Sequence, residues 1–229
     1  MSADLDIRIV QGHRPPANPG GITVVIDVIR AFTTAHEAFR GGARRIHLVS
    51  TAEQALAQKT AHPDWLLAGE INALPIPGFD FGNSPWEIRN ADLAGKELVQ
   101  RTTNGVIATL AARESAAVLV GSLLNARSTA RWILSQPAAP ILLVASHPDG
   151  DEDLACAQWL CQLLGQDGID YDEAAQRTMN SFAAKKFLRG DHPHLRAEDI
   201  RIAASDGGEQ ALVMAADYGE HLPCLHVIT

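Results

Sequence analysis

The sequence lacks the features of secreted, membrane-spanning and nucleic-acid-binding proteins. Its 229 residues include only three cysteines, Cys156, Cys161 and Cys224, an odd number without disulfide-like spacing that predicts a reducing, cytoplasmic location. The N-terminal stretch has no apolar core of a secretory signal, and no apolar run is long enough to cross a membrane. Because the net charge is −8 and no Lys/Arg run is present, nucleic acid is not an expected partner.

The composition is that of an ordinary globular protein, with 46% hydrophobic and 20% charged residues. No linker, internal repeat or low-complexity tract interrupts the chain. We therefore predict one α/β domain over 1–229, with a division into two lobes at about 1–115 and 116–229 left open. A small anionic partner remains compatible with the negative charge if local positive groups or a metal bind it. A homodimer is expected only from the general frequency of such assemblies.

Short apolar runs alternate with segments of helical periodicity along most of the chain. Strands are predicted at 22–26, 45–50, 65–69, 96–101, 116–121, 140–146 and 224–229. Helices are predicted at 31–40, 51–61, 106–114, 126–136, 151–165 and 173–188. This alternation is typical of βαβ units and predicts a three-layer α/β/α fold with a mostly parallel sheet. A dinucleotide oxidoreductase is disfavoured because no G-x-G-x-x-G follows the first predicted strand.

Polar residues follow several predicted strands, at the sheet edge where open α/β proteins bind ligands. Carboxylates such as Asp27 and Glu70, without nearby Cys or paired His, suit a hard cation such as Mg²⁺. The turn at 102–105, Thr-Thr-Asn-Gly, offers hydroxyls and backbone N–H groups to a phosphate, and Arg30 can contact one through two N–H groups. Together these groups are the parts needed for metal-assisted phosphoryl transfer.

Each of these residues also has a purely structural interpretation. Asp27 and Asn125 can cap the helices that follow them, and the turn at 102–105 can be an ordinary βα connection. Acids at the start of the helix at 151–165 complement its dipole. His147 is expected in a surface loop, and Lys185, Lys186 and Arg189 on a solvated helix face. The functional interpretation therefore depends on convergence of the groups in space.

Six segments resemble the 2-phosphosulfolactate phosphatase family. They are DVIRAFTT (27–34), GE (69–70), GFDFGNSPWE (78–87), RTTNG (101–105), GSLLNA (121–126) and EDLACA (152–157). Their order and spacing agree with the family from about residue 20 to 160, and residues 181–204 resemble it more loosely. The resemblance implies an α/β/α phosphatase that uses Mg²⁺ and converts (2R)-O-phospho-3-sulfolactate into 3-sulfolactate and phosphate, a step of coenzyme M biosynthesis. It also implies that 78–87, whose composition argues against a helix or central strand, is a site loop.

These motifs give a set of candidate site residues. We expect one Mg²⁺ to be held by Asp27, Glu70 and Asp153, together with Asp80 or Glu152. Asp27, Arg30 and Glu70 are the candidate catalytic residues, with Asp27 as general base. The candidate contacts for phosphate, sulfonate or carboxylate are Thr33, Asn83, Ser84, Thr102, Thr103, Asn104, Gly105, Ser122 and Asn125.

Two departures from the family pattern leave the substrate open. Ser146-His147 and Ala157-Gln158 stand where family members often have Ala-Gly, so a related 2-hydroxy-acid phosphate ester is an alternative substrate. Ile29 occupies the position of the second Asp of haloacid-type phosphatases, which favours direct attack by water over an aspartyl-phosphate at Asp27. A non-enzymatic protein that binds a small anion or nucleotide is the second hypothesis, although clustered acids would weaken such a site.

Overall fold

The computed structural model describes residues 5–190, 192–219 and 222–228, which form ten strands, nine α-helices and one 3₁₀ turn. The strands are β1 Ile7–Gln11, β2 Ile22–Ile26, β3 Arg45–Leu48, β4 Leu66–Ile71, β5 Leu74–Pro75, β6 Glu97–Arg101, β7 Ala117–Gly121, β8 Ile141–Ala145, β9 Val213–Asp217 and β10 Cys224–Ile228. The helices are α1 Ala31–Arg40, α2 Ala52–Ala61, α3 Pro85–Arg89, α4 Gly105–Ala111, α5 Ala126–Ser135, α6 Asp151–Leu163, α7 Tyr171–Asn180, α8 Phe182–Leu188 and α9 Ala197–Ala203. Within these ranges no helix combines the length and the apolar character that a membrane span requires.

The strands form one sheet in the order β1-β8-β2-β7-β9-β10-β3-β6-β4-β5. β1, β8, β2 and β7 are mutually parallel, and so are β3, β6 and β4. Side chains of α1 and α4 pack on one face of the sheet, whereas those of α5 and α6 pack on the opposite face. The predicted three-layer α/β/α fold with a mostly parallel sheet is confirmed.

The antiparallel pair β9 and β10 joins the two parallel groups of strands. Three successive antiparallel pairings reverse the strand direction between the groups. Neighbouring strands of a sheet are rotated by about 20–25° relative to each other. Because this twist adds up across the strands between β2 and β6, the two parallel groups do not point in fully opposite directions. Their carboxyl ends meet: the N–H of Gly105, which follows β6, donates to Asp27 Oδ2 at 2.9 Å beyond the end of β2.

Several local predictions are confirmed in detail. β2 is buried along its whole length, as expected for an apolar parallel strand covered on both faces. α1 has the predicted bounds. The capping box at the start of α2 is also present, because Gln54 N–H donates to Thr51 Oγ1 at 3.2 Å while the Gln54 side chain accepts from Thr51 N–H.

The structure corrects four local predictions. The site loop contains a short helix, α3, because Ser84 caps it and Pro85 occupies its first position. The helix predicted at 173–188 is two helices, since Ser181 ends α7 and caps α8. Asn125 does not cap α5 through its side chain. Strands β1, β5 and β9 were not predicted, and the end of the last predicted strand, Thr229, lies outside the described residues.

The largest apolar cluster crosses the boundary between the two lobes considered above. Phe32 and Ile46 from the first half pack in the same cluster as Val120, Val144 and Met214 from the second half. The number of domains stays a prediction.

Candidate active site

The two oxygens of the Asp27 carboxylate tie together the starts of α1 and α4. Oδ1 accepts the N–H of Ala31 at 3.0 Å, and Oδ2 accepts the N–H of Gly105 at 2.9 Å. Burial raises the pKa of Asp27 to about 6, and the negative charges of Glu70 and Glu152 add to this effect against the two N–H groups. Asp27 is therefore both the helix cap that its position suggested and a member of an acidic cluster.

Glu70, in β4, is fixed on the turn that follows β6. Its Oε1 accepts the N–H of Thr103 at 2.6 Å, and its Oε2 accepts the Thr103 hydroxyl at 3.2 Å and the N–H of Ala73. Gly69, just before it, lies so close to β6 that a Cβ would be 2.1 Å from the backbone oxygen of Arg101. Gly69 therefore allows β4 to approach β6 closely, and Glu70 follows it as the acid at the cavity.

The turn at 102–105 does not offer the open set of N–H groups that its sequence predicted. The N–H groups of Thr103 and Gly105 donate to Glu70 and Asp27, and that of Val106 donates to Thr102 Oγ1 at 3.1 Å. The protein's own carboxylates thus occupy donors that were expected to bind phosphate. The turn orients the acids instead.

Asp153 lies directly behind Asp27. Its Oδ1 accepts the N–H of Val28 at 2.8 Å, and its Oδ2 accepts the N–H of His147 at 3.1 Å and the hydroxyl of Ser146 at 3.2 Å. Burial, together with the charges of Asp27 and Glu152, raises the pKa of Asp153 well above its ordinary value. Burial likewise raises the pKa of Glu152. The residues Ser146-His147, at which the chain departs from the family pattern, therefore contact the acidic cluster directly.

A cavity of about 320 Å³ opens over this cluster. Asp27 and Glu70 line it, whereas Glu152 and Asp153 are buried beside it. Its other lining residues are Ile29, Arg30, Asn72, Ala73, Asn83, Thr103, Asn104, His147, Pro148, Ala183, Lys186 and Phe187. His147 and Lys186 are exposed, as predicted for surface residues, yet both contribute to the cavity wall.

Arg30 is the buried positive charge of the cavity. It is 5% exposed, its Nη1 donates to Asp199 Oδ2 at 2.9 Å, and its guanidinium carbon lies 4.7 Å from the centre of the Phe187 ring. Asp199, in α9, is fully buried and was not predicted as a site residue. Its other oxygen accepts the hydroxyl of Ser84 at 2.6 Å, so Ser84 contacts Asp199 and lies outside the main cavity.

Asn83 is the residue of the site loop that faces the main cavity. It is 4% exposed, and its Oδ1 has no hydrogen-bond partner among the described residues. A buried polar atom without a partner is costly, and a ligand in the cavity can satisfy it.

Besides Ser84, Gly105, Glu152 and Asp153, five predicted site residues do not line the main cavity. Asp80 Oδ2 accepts the N–H of Leu67 at 2.8 Å and pairs with Lys59 at 3.2 Å, so the structure does not bring this acid to the cluster.

The remaining four are buried and lie outside the main cavity. Thr33 donates to the backbone oxygen of Val28, and Thr102 caps α4. Asn125 accepts from Ser122 N–H and donates to two backbone oxygens, those of Val120 and Leu212. These bonds stabilise the fold, and the binding roles of Thr33, Thr102, Ser122 and Asn125 stay predictions.

The donor set at the cavity fits Mg²⁺. Among the described residues, no three side chains of His, Cys, Asp or Glu approach one another closely enough to form a complete metal cage. Mg²⁺ does not need one, because it commonly binds through one or two carboxylates, several waters and a substrate phosphate. Asp27 and Glu70 are two such carboxylates, and the charge of Glu70 adds to the burial that raises the pKa of Asp27.

Comparison with known proteins identifies the family. A family model described as 2-phosphosulpholactate phosphatase matches residues 8–197. A probable 2-phosphosulfolactate phosphatase of Bacillus subtilis (strain 168) is 42% identical over 199 residues, which cover 86% of this chain and 87% of the relative. A protein of the same description from Synechocystis is 30% identical over 217 residues, which cover 85% and 90% of the two chains. The chain belongs to the 2-phosphosulfolactate phosphatase family.

Proposed function

We propose that this protein is a phosphatase that hydrolyses 2-phosphosulfolactate, or a related 2-hydroxy-acid phosphate ester, with the help of Mg²⁺. The observation that carries the proposal is that Asp27 and Glu70 share one cavity with the cationic side chains of Arg30 and Lys186. A phosphate monoester needs both kinds of group: cations neutralise its oxygens, and a carboxylate activates water or holds a metal. Family membership and the names of the relatives support the same reaction.

Arg30 and Lys186 are the groups that bind the phosphate in this proposal. The Asp199 carboxylate and the Phe187 ring hold Arg30 in one orientation, while Lys186 comes from the exposed side of the cavity. Asp27 and Glu70 would hold Mg²⁺, with Glu152 and Asp153 adding negative charge behind them. When bound, Mg²⁺ would neutralise charge on a phosphoryl oxygen.

Asp27 is the proposed general base. Without a bound metal its pKa is about 6, and a cation beside it would lower that pKa, so the carboxylate is ionised at neutral pH and able to accept a proton. It takes a proton from the attacking water as the water oxygen bonds to phosphorus. The bond between phosphorus and the ester oxygen breaks, that oxygen takes a proton from solvent water to become the 2-hydroxyl of the product, and Asp27 returns its proton to solvent. Ile29, two residues after Asp27, offers no carboxyl group for a haloacid-type covalent mechanism.

For 2-phosphosulfolactate the products would be 3-sulfolactate and inorganic phosphate. Participation in coenzyme M biosynthesis, a cytoplasmic location and a homodimer remain predictions from the sequence. A related 2-hydroxy-acid ester would use the same chemistry, because the reacting groups contact only the phosphate.

The first experiment measures phosphate release from 2-phosphosulfolactate and a panel of phosphorylated 2-hydroxy acids, with Mg²⁺ and with a chelator. We expect release that depends on Mg²⁺. Equal rates in chelator would remove the metal from the mechanism, and no release from any ester would favour a non-enzymatic anion-binding protein.

Asp27→Asn is the matching test of the general base. The substitution keeps the side-chain shape but removes both the base and a proposed Mg²⁺ ligand, so we expect kcat to fall by about 10²-fold or more. Asp80→Asn is the control, because Asp80 is an acid of the site loop that pairs with Lys59 outside the cavity. Similar kinetics for both variants would show that Asp27 is not the base.

A further inference from the structure

A second, smaller cavity of about 180 Å³ adjoins the candidate active site. The two cavities share Arg30, Ala73 and Asn83 in their linings, so a small molecule bound in one can extend into the other. Among the residues described, the smaller cavity but not the main one is lined by His194, Gly82 and Glu87. No prediction from the sequence gave His194 a role.

Two buried polar atoms in the wall of the smaller cavity have no partner within the described part of the chain. They are Nε2 of His194 and Oδ1 of Asn83. A terminal amide presents a donor on one side and an acceptor on the other, and an imidazole nitrogen can donate. Leaving such groups without hydrogen bonds is costly, so their convergence on one cavity indicates a polar ligand.

The charges around the smaller cavity favour an anionic ligand. Arg30 uses Nη1 to bind Asp199, which leaves its other N–H groups available for a second acceptor. The pKa of His194 is lowered mainly by burial, and the positive charge of Arg30 acts in the same direction whereas Glu87 acts in the opposite one. The acidic residue of the wall, Glu87, pairs with Arg196 at 3.4 Å.

We propose that the smaller cavity is a subsite for a second acidic group of the substrate, a carboxylate or sulfonate, and that His194 is its specificity-determining residue. The proposal rests on the proposed function, because it places the phosphate in the main cavity. Arg30 then spans the two anionic groups of one molecule, and His194 donates to the second group through Nε2. Asn83 donates to it with its amide turned over, so that the NH₂ group takes the place of Oδ1. Phosphate esters without a second acidic group leave the subsite unused.

The experiment compares His194→Phe with His192→Phe. Phenylalanine keeps an aromatic ring at position 194 and removes the donor, and His192 is an exposed neighbour whose ring stacks on that of His194 with 5.4 Å between centroids. Kinetics are measured with 2-phosphosulfolactate and with phenyl phosphate, which carries no second acidic group.

For His194→Phe we expect KM for 2-phosphosulfolactate to rise by about tenfold or more, the usual effect of losing a hydrogen bond to a charged group. Its kcat should change by less than about twofold, since the reacting groups are unaltered. Kinetics with phenyl phosphate should remain unchanged. His194→Gln retains a donor and should recover part of the lost affinity. His192→Phe should behave as wild type.

Equal losses with both substrates, or no loss with either, would overturn the subsite while leaving the phosphatase function intact. Calorimetric binding of 3-sulfolactate provides a readout that does not need turnover. If wild type hydrolyses no ester, the proposed function fails. The subsite is still supported if 3-sulfolactate binds more weakly to His194→Phe than to wild type but equally well to His192→Phe. Equal binding to both variants would contradict it.

Discussion

At the scale of single residues, the acids of the site are positioned by backbone N–H groups of turns and helix starts, several of them distant in sequence. Asp27 depends in this way on Gly105, from which it is separated by 78 residues in sequence. The two approach so closely that a Cβ on Gly105 would lie 2.6 Å from Asp27 Oδ2 and 2.9 Å from Asp27 Cβ. The glycine of the Thr-Thr-Asn-Gly turn is therefore required by close packing against the acid.

Gly105→Ala is expected to displace the Asp27 carboxylate and break its bond with the residue 105 N–H. A shift of about 1 Å in a reacting group costs about 10²-fold in rate, so we expect kcat to fall by about that factor. Steady-state kinetics and circular dichroism measure the rate and the fold. Gly121→Ala is the control, because a Cβ there would meet its nearest atom at 3.5 Å, an ordinary contact. A fully active Gly105→Ala would contradict the proposed role of Asp27.

Residues at strand ends could be predicted from the sequence, but their partners could not. Asp27 and Glu70 were found because apolar strands and helical periodicity mark sheet edges locally. Asp199 and His194 were missed because each acts across a large sequence separation, and the bond between Arg30 and Asp199 spans 169 residues. The occupied N–H groups of the turn at 102–105 were missed for the same reason, since only the folded chain brings Glu70 to Thr103.

At the scale of elements, α9 links the site loop to Arg30. One oxygen of Asp199 accepts from Arg30, and the other accepts from Ser84 Oγ at 2.6 Å and Trp86 N at 3.2 Å at the start of α3. The start of α3 carries sequence signals, a Ser cap followed by Pro, that the Gly-rich composition of the loop obscured. The contact of α3 with α9 carries no such local signal.

Asp199→Asn is expected to weaken both the fold and the site. The change leaves Arg30 as a buried charge without its counterion, and breaking a buried pair in this way costs about 3–5 kcal/mol. Urea denaturation should show that loss, and kcat/KM should fall by about tenfold or more because Arg30 is no longer held in place. Glu198→Gln is the control, since Glu198 is the exposed preceding residue of α9. Equal stability of the two variants would contradict the proposed link.

At the scale of the whole molecule, stability is expected to depend on pH through the buried acids. An acid whose pKa is higher in the folded state binds protons more readily when folded, so folding is weakened as pH rises through that pKa. For Asp27 the rise from 3.8 to about 6 corresponds to about 3 kcal/mol, lost between roughly pH 4 and pH 6. Glu152 and Asp153 act in the same direction. His47, whose pKa is lowered mainly by burial, acts in the opposite direction.

The contribution of Asp27 can be isolated by measuring urea midpoints of wild type and Asp27→Asn at pH 5 and pH 8 in chelator. Between these pH values, wild type should lose more stability, or gain less, than the variant. His47 titrates in both proteins, and removing the Asp27 charge also reduces the rise in the pKa of Asp153. Metal binding requires ionised carboxylates, so Mg²⁺ should stabilise wild type more at pH 8 than at pH 5 and should stabilise Asp27→Asn less. Identical pH slopes for the two proteins would contradict the raised pKa of Asp27. Equal stabilisation of both by Mg²⁺ would contradict its role as a ligand, since a cation bound elsewhere has no reason to distinguish an acid from an amide at position 27.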